Sequence, residues 1–130
     1  MAFSLGPLGQ VARSVNDIAK AEAFYGGVPG LRHLYSFGNI AFFDCAGVRL
    51  MLSVGDGGEE PGKASPIYFR VADLAYAVGE LEKKGVAFIQ KPHRVAPMED
   101  HDLWMAFIAD PDGNLIGLMQ EAPKGYQPSA

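Results

Sequence analysis

Short runs of alternating polar and apolar residues punctuate this chain, and the runs come in two similar series. "LGQVARSV" (8–15) predicts a strand. In "NDIAKAEAFYGG", Ile18, Ala21 and Tyr25 recur at helical spacing, with Asn16 or Asp17 placed to cap the helix and Gly26, Gly27 and Pro29 to end it. Strands are expected at about Arg32–Phe37, Ile40–Cys45 and Val48–Val54, separated by the turns "SFGN" and "CAG". The segment "GDGGEEPGKAS" has no period and breaks the series.

The pattern then returns. "PIYFRV" predicts a strand, and "ADLAYAVGELEKKG" a helix capped by Asp73 and closed by Gly85. Leu74, Ala77 or Val78, and Leu81 form its apolar stripe. "VAFIQKP" predicts a strand, a polar loop around "HRVAPMEDHD" follows, and "LWMAFIA" and "NLIGLMQ" flank the turn "DPDG". Asp17–Ala21 aligns with Asp73–Ala77 at an offset of 56, and Gly47–Leu52 with Gly113–Leu118 at an offset of 66. Each half is strand, helix, strand, strand, strand, and neither has enough apolar residues for a core of its own. The expected organisation is one domain over 1–130: module one about 8–55, a linker 56–65, module two about 66–121, and a tail 122–130.

Three features of this duplication carry a family likeness: the "V-x-D" entering each helix, the "FY" of the first helix, and "FIADPDGNLIGL" near the end. Over about residues 8–121 the chain resembles the vicinal-oxygen-chelate superfamily, which includes glyoxalase I, bleomycin-resistance proteins, extradiol dioxygenases and methylmalonyl-CoA epimerase. The resemblance implies an α+β fold of two βαβββ modules forming a curled mixed sheet around a cup. It also implies four metal-ligand positions, on the first and last strand of each module, which fall here on Gln10, Met51, Pro66 and Gly117. Proline and glycine side chains donate nothing, and a thioether is too soft for Zn, Ni, Mn or Fe(II). No metal ligand is therefore assigned, no cofactor is expected, and a divalent metal is disfavoured.

Side chains alternate across a strand, so the cup floor can be read by parity. If positions 10, 51, 66 and 117 face the cup, so do Ala12, Arg49, Ser53, Tyr68, Arg70, Leu115 and Met119, while Val11, Val15, Leu50, Leu52, Ile67, Phe69, Val71, Ile116 and Leu118 face the helices. Arg13 falls on the helix side, at a strand end or paired with Glu22. The expected ligand pocket comprises Gln10, Arg49, Met51, Tyr68, Arg70, Trp104, Gly117 and Met119, with Trp104 as a stacking wall or, equally, an inter-module core residue. His101, flanked by Asp100 and Asp102, is the candidate acid or base. His33 and His93 are expected to be structural or exposed, a metal set of Gln10, His33 and His101 being the disfavoured alternative. Cys45 is expected to be a buried, inert thiol.

Composition narrows the function classes. With 130 residues, 48% of them hydrophobic and 20% charged, the chain has the balance of one globular domain. A net charge of −4 gives no general attraction to nucleic acid or anionic membrane. The single cysteine and the absence of a signal-like N-terminal pattern suggest the cytoplasm, and no apolar run is long enough to span a bilayer. The expected protein binds a small molecule in the cup, without the usual metal, as a homodimer. The alternative is a metal-dependent lyase, isomerase or dioxygenase of the glyoxalase type with non-standard ligands, and a third possibility is a metal-free enzyme using Arg49 or Arg70 for an oxyanion.

Overall fold

The computed structural model describes residues 2–55 and 60–127, so residues 56–59 of the expected linker and 128–130 of the expected tail lie outside the described residues. Two compact units emerge, Met1–Pro61 and Gly62–Ala130. The first holds β1 (Gln10–Ser14), α1 (Ile18–Gly27), β2 (Arg32–Phe37), β3 (Ile40–Cys45) and β4 (Val48–Ser53). The second holds β5 (Ile67–Arg70), α2 (Leu74–Lys83), β6 (Gln90–Pro97), β7 (Asp102–Ala109) and β8 (Leu115–Ala122). Each is a βαβββ module with its own four-stranded mixed sheet, ordered β1-β4-β3-β2 and β5-β8-β7-β6. In each, the first strand runs parallel to the last and the others are antiparallel. The class is α+β.

The two helices begin alike. Asp17 and Asp73 hold extended backbone, with φ of −141° and −142°, and their carboxylates accept the N–H of Lys20 at 3.0 Å and of Tyr76 at 3.1 Å. Each cap satisfies one of the amides that a helix start leaves without a partner. Helix α2 gains a second anchor, since Gln120 Oε1 accepts the N–H of Leu74 at 2.8 Å. Ala21 and Tyr25 of α1 are buried, as are Leu74 and Leu81 of α2, so each helix covers one face of its own sheet.

Arg13 is buried on the helix side and donates from Nη1 to Tyr25 Oη at 3.0 Å. Its partner is therefore a phenol on α1 and not Glu22. Glu22 instead accepts from Ser36 Oγ at 3.1 Å.

The turns differ between modules. Ala46 and Gly47, with φ of 54° and 100°, make a two-residue link between β3 and β4, the geometry that suits a twisted hairpin. In the second module the link is Asp110–Asn114. Asp110 Oδ1 accepts the N–H groups of Asp112 and Asn114, both at 2.9 Å, and Asn114 Oδ1 accepts the N–H of Ala64 at 3.2 Å. The turn thus ties down the chain entering its own module. Gly62 has no room for a side chain, because a Cβ there would lie 2.6 Å from the carbonyl oxygen of Asp112.

One expected element moves. The strand expected over "VAFIQKP" begins only at Gln90 and continues through His93 to Pro97, where a polar loop was expected. The interruption at Gly85–Ile89 and the two prolines hid it. Proline lacks the N–H that a ladder needs and is tolerated on an edge strand, and β6 is an edge strand with register shifts at Gln90/His93 and Arg94/Ala96. The hairpin closes beyond it, with Met98 N–H donating to His101 O at 2.8 Å. Strand β8 runs on to Ala122, one residue into the expected tail, and Tyr126 packs edge-on against Trp104 at 6.0 Å.

Candidate functional site

Ladder partners share a face, which sorts every strand residue. In module one, Gln10↔Arg49, Ala12↔Met51, Phe42↔Met51 and Tyr35↔Phe42 place Gln10, Ala12, Tyr35, Phe42, Arg49 and Met51 on the face away from α1. In module two, Tyr68↔Gly117, Arg70↔Met119, Phe107↔Gly117 and His93↔Met105↔Met119 place that set away from α2. The parity read from the sequence therefore holds within each module: Leu50, Leu52 and Ile116 are buried on the helix sides.

The helix-free face of module one is organised around Arg49. Its Nε donates to Gln10 Oε1 at 2.9 Å, and its guanidinium carbon lies 5.4 Å from the centre of the Phe42 ring. Gln10 Nε2 points at Met51 Sδ, 3.9 Å away. Phe42 is itself packed against Tyr35 at 4.8 Å between ring centres.

The same face of module two is aromatic. Tyr68 packs edge-to-face with Phe107 at 5.9 Å, and His93 stacks on Phe107 at 6.5 Å. A Cβ built on Gly117 would meet Tyr68 Cδ1 at 2.5 Å and Phe107 Cε1 at 3.1 Å. The glycine exists because the tyrosine ring lies across it. Tyr68 remains 48% exposed, so the ring covers the glycine and still offers an outer surface.

This arrangement and its duplication match a known family. The family model described as Glyoxalase/Bleomycin resistance protein/Dioxygenase superfamily matches residues 8–118. The chain belongs to that superfamily. Similar solved structures include a virulence protein from Salmonella typhimurium, 20% identical, covering 92% of this chain and 100% of that one at a TM-score of 0.78. Lactoylglutathione lyase from Agrobacterium tumefaciens is 20% identical, covering 95% and 100% at 0.76. A member of the same superfamily from Sphaerobacter thermophilus is 22% identical, covering 90% and 98% at 0.74. At these identities the likeness is one of fold. No curated protein matches the sequence at a significant level.

A divalent Lewis acid of the superfamily's usual plan does not fit the four ligand positions. Gln10 has its donor oxygen on a guanidinium, which would also repel a metal cation. Gly117 lies under Tyr68, so the space for a carboxylate is already filled. The Pro66 side chain has no donor atom, and the Met51 thioether is soft. The alternative set fares no better in module one: His33 lies on the helix side, on the opposite face from Gln10. There its Nε2 is 2.7 Å from Ser36 Oγ and 3.6 Å from Glu22 Oε2.

Trp104 departs from its expected place. Its ladder partner is Gln120, which puts it on the helix side with Ala106, Ile108 and Leu118. It is a buried packing residue of module two and not a wall of the helix-free face. Its strand, "LWMAFIA", is apolar on both faces, so the sequence held no polarity from which to choose.

His101 is held between two carboxylates, but one is not the expected one. Its Nδ1 lies 2.7 Å from Asp100 Oδ1 and its Nε2 3.5 Å from Glu121 Oε2. Glu121 Oε1 is 3.5 Å from Arg70 Nε, which extends the chain of charges along one end of the sheet. The hydrogen bond to His101 draws the Asp100 carboxyl below its ordinary pKa. Asp102 turns away and accepts from Lys124 Nζ at 3.1 Å; that bond holds its carboxyl low as well. Glu121 is twenty positions from His101 and invisible to local inspection; the parity of β8, which puts 121 on the face of 117 and 119, was the available signal. An imidazole bridging two carboxylates can accept a proton at one nitrogen and release one at the other.

Cys45 is half-buried, and burial, then the neighbouring Asp44, pushes its thiol pKa up. A thiol so placed carries little thiolate and is a poor nucleophile.

Proposed function

We propose that the protein binds a small organic molecule with a ring-bearing, apolar body, without a divalent metal of the superfamily's usual plan. The observation that carries this is the Tyr68 ring lying on Gly117. It replaces a ligand position by an exposed aromatic plate, flanked by Phe107, His93, Met105 and Met119. Aromatic and thioether groups with a few convergent polar side chains are the surroundings that small molecules favour. Arg70 and the His101–Glu121 pair supply those polar groups at the end of the face.

The working setting is a cytoplasmic homodimer with no nucleic-acid or membrane partner. A net charge of −4 supports the lack of a nucleic-acid or anionic-membrane partner, and no helix among the described residues is long and apolar enough to cross a membrane. The second reading, a lyase, isomerase or dioxygenase with non-standard ligands, draws on His101 between Asp100 and Glu121.

One titration separates the two. Untagged protein is stripped, exposed to Zn, Ni, Mn and Fe(II) at tens of micromolar, and weighed by native mass spectrometry. It is then screened with aromatic compounds by thermal shift. The expected result is no stoichiometric metal and a saturable upward shift with a subset of the aromatics. One tight metal per chain would overturn the metal-free proposal and make His101 and Glu121 the first positions to mutate.

A further inference from the structure

Arg49 is held in a way that packing alone does not require. One edge of its guanidinium is fixed by Gln10 Oε1 on Nε, and the group sits over the Phe42 ring. Among the described residues its two terminal amino groups have no hydrogen-bond partner. The nearest carboxylate by register is Asp44, the cross-strand partner of Arg49. Asp44 Oδ1 instead accepts the N–H of Gly47 at 3.0 Å, and no ion pair joins Asp44 to Arg49 among the described residues. On the other side of Asp44 the register partner is Arg32, so the row across three strands reads plus, minus, plus.

We propose that Arg49 is a preorganised receptor for the carboxylate of a small molecule, whose apolar body lies along Tyr35 and Met51. This surface belongs to module one, whereas the Tyr68 plate belongs to module two; the inference rests on the small-molecule reading above only in that an apolar-bodied small molecule is bound, and it adds a chemical class for a ligand of module one. A guanidinium presents a planar fork that matches a carboxylate with two parallel hydrogen bonds. Holding it in advance through Nε and the ring face removes side-chain freedom that would otherwise be lost on binding. A planar monoanion suits the site better than a phosphate dianion, because Asp44 stands beside it and leaves the row a single net positive charge. Tyr35, half-exposed and backed by the buried Phe42 ring, offers the apolar contact, with Met51 next to Phe42 across the ladder.

The test uses the full chain labelled with nitrogen-15. The Nε–H signal of Arg49, identified by its loss in Arg49→Ala, is followed during titration with benzoate, and with benzamide as the neutral counterpart of the same shape. The expected result is a saturating shift of that signal with benzoate, with benzamide at least about tenfold weaker, as the loss of a charge-assisted pair implies. Arg49→Ala should weaken benzoate by a similar factor, read from the remaining backbone signals. Gln10→Leu, which keeps the charge but frees the side chain, should weaken it several-fold. Equal binding of benzoate and benzamide, or benzoate binding unchanged in Arg49→Ala, would overturn the inference and leave the small-molecule reading standing. An unmoved Arg49 signal with both probes would also overturn it. If the aromatic screen is silent as well, the small-molecule reading falls with it.

Discussion

The two modules solve one packing problem in opposite ways. On the helix-free face of the first, Ala12 lies beside Met51 across the β1–β4 pair. At the matching place in the second, Tyr68 lies beside Gly117 across β5–β8. Small beside large has become large beside small, and the volume stays filled. On the helix side the first module buries a polar pair, Arg13 with Tyr25, where the second has Phe69 and Leu81 at the same offset of 56. The comparison teaches that a duplicated scaffold preserves strand pairing and caps while exchanging chemistry in register-linked pairs. A glycine that looks like a deletion is then half of an exchange.

The sharpest way to break this view is at the buried polar pair. Tyr25→Leu leaves the Arg13 Nη1 donor facing methyl groups and should cost about 2–3 kcal/mol, the range for a buried hydrogen bond to a charged group. Adding Arg13→Phe installs the second module's pair and should make the double variant more stable than Tyr25→Leu alone. Urea denaturation measures both. A double variant less stable than the single one would mean that the modules' cores are not interchangeable at this position.

A smaller effect is expected at the glycine. Gly117→Ala forces Tyr68 off its seat and should destabilise by about 1–2 kcal/mol, limited because the half-exposed ring can turn outward. In a Tyr68→Ala background the cost should fall to near zero, the Phe107 contact at 3.1 Å offsetting the gain of alanine over glycine in a strand, or turn into a small gain if the Phe107 ring can give way. A thermal-melt double-mutant cycle reads the coupling between the two positions. Equal effects in both backgrounds would separate the glycine from the tyrosine.

The smallest expected effect is a pH dependence special to the second module. Its longer β6–β7 hairpin brings Asp102 to Lys124, whereas the first module closes the corresponding hairpin at Gly38 and Asn39. The hydrogen bond from Lys124 depresses the folded-state pKa of Asp102. Its contribution is thus present above the ordinary carboxylate pKa near about 4 and is lost as pH falls through the lower folded value. Lys124→Met should make the fall in stability below about pH 4 shallower, as followed by urea midpoints at a series of pH values. An unchanged slope would show that Asp102 owes nothing to the lysine.

Local chemistry made much of this legible in advance. Asp17 and Asp73 are caps because a short carboxylate before an apolar helical stripe has one obvious task. The parity of β1, β4, β5 and β8 followed from the four positions that the family resemblance marks as facing the cup, with Arg13 the one residue it left unexplained. Strand β6 was obscured because its prolines argue against a strand and only its edge position permits them. Trp104 was misplaced because an apolar strand has no polarity to read, and its face is set by pairing with Gln120.

By itself, the amino-acid sequence determined the duplication and the helix caps, and, once the family resemblance had named four positions, the strand faces and the absence of ordinary metal donors at three of the four. These depend on period, on residue type and on chemistry a few bonds long. Only the tertiary structure decided that Arg13 meets Tyr25, that Gln10 gives its oxygen to Arg49, that His101 meets Glu121, and that Tyr68 covers Gly117. Each of these joins residues 12 to 49 positions apart. Strand register, and not local preference, brings such residues within reach of one another.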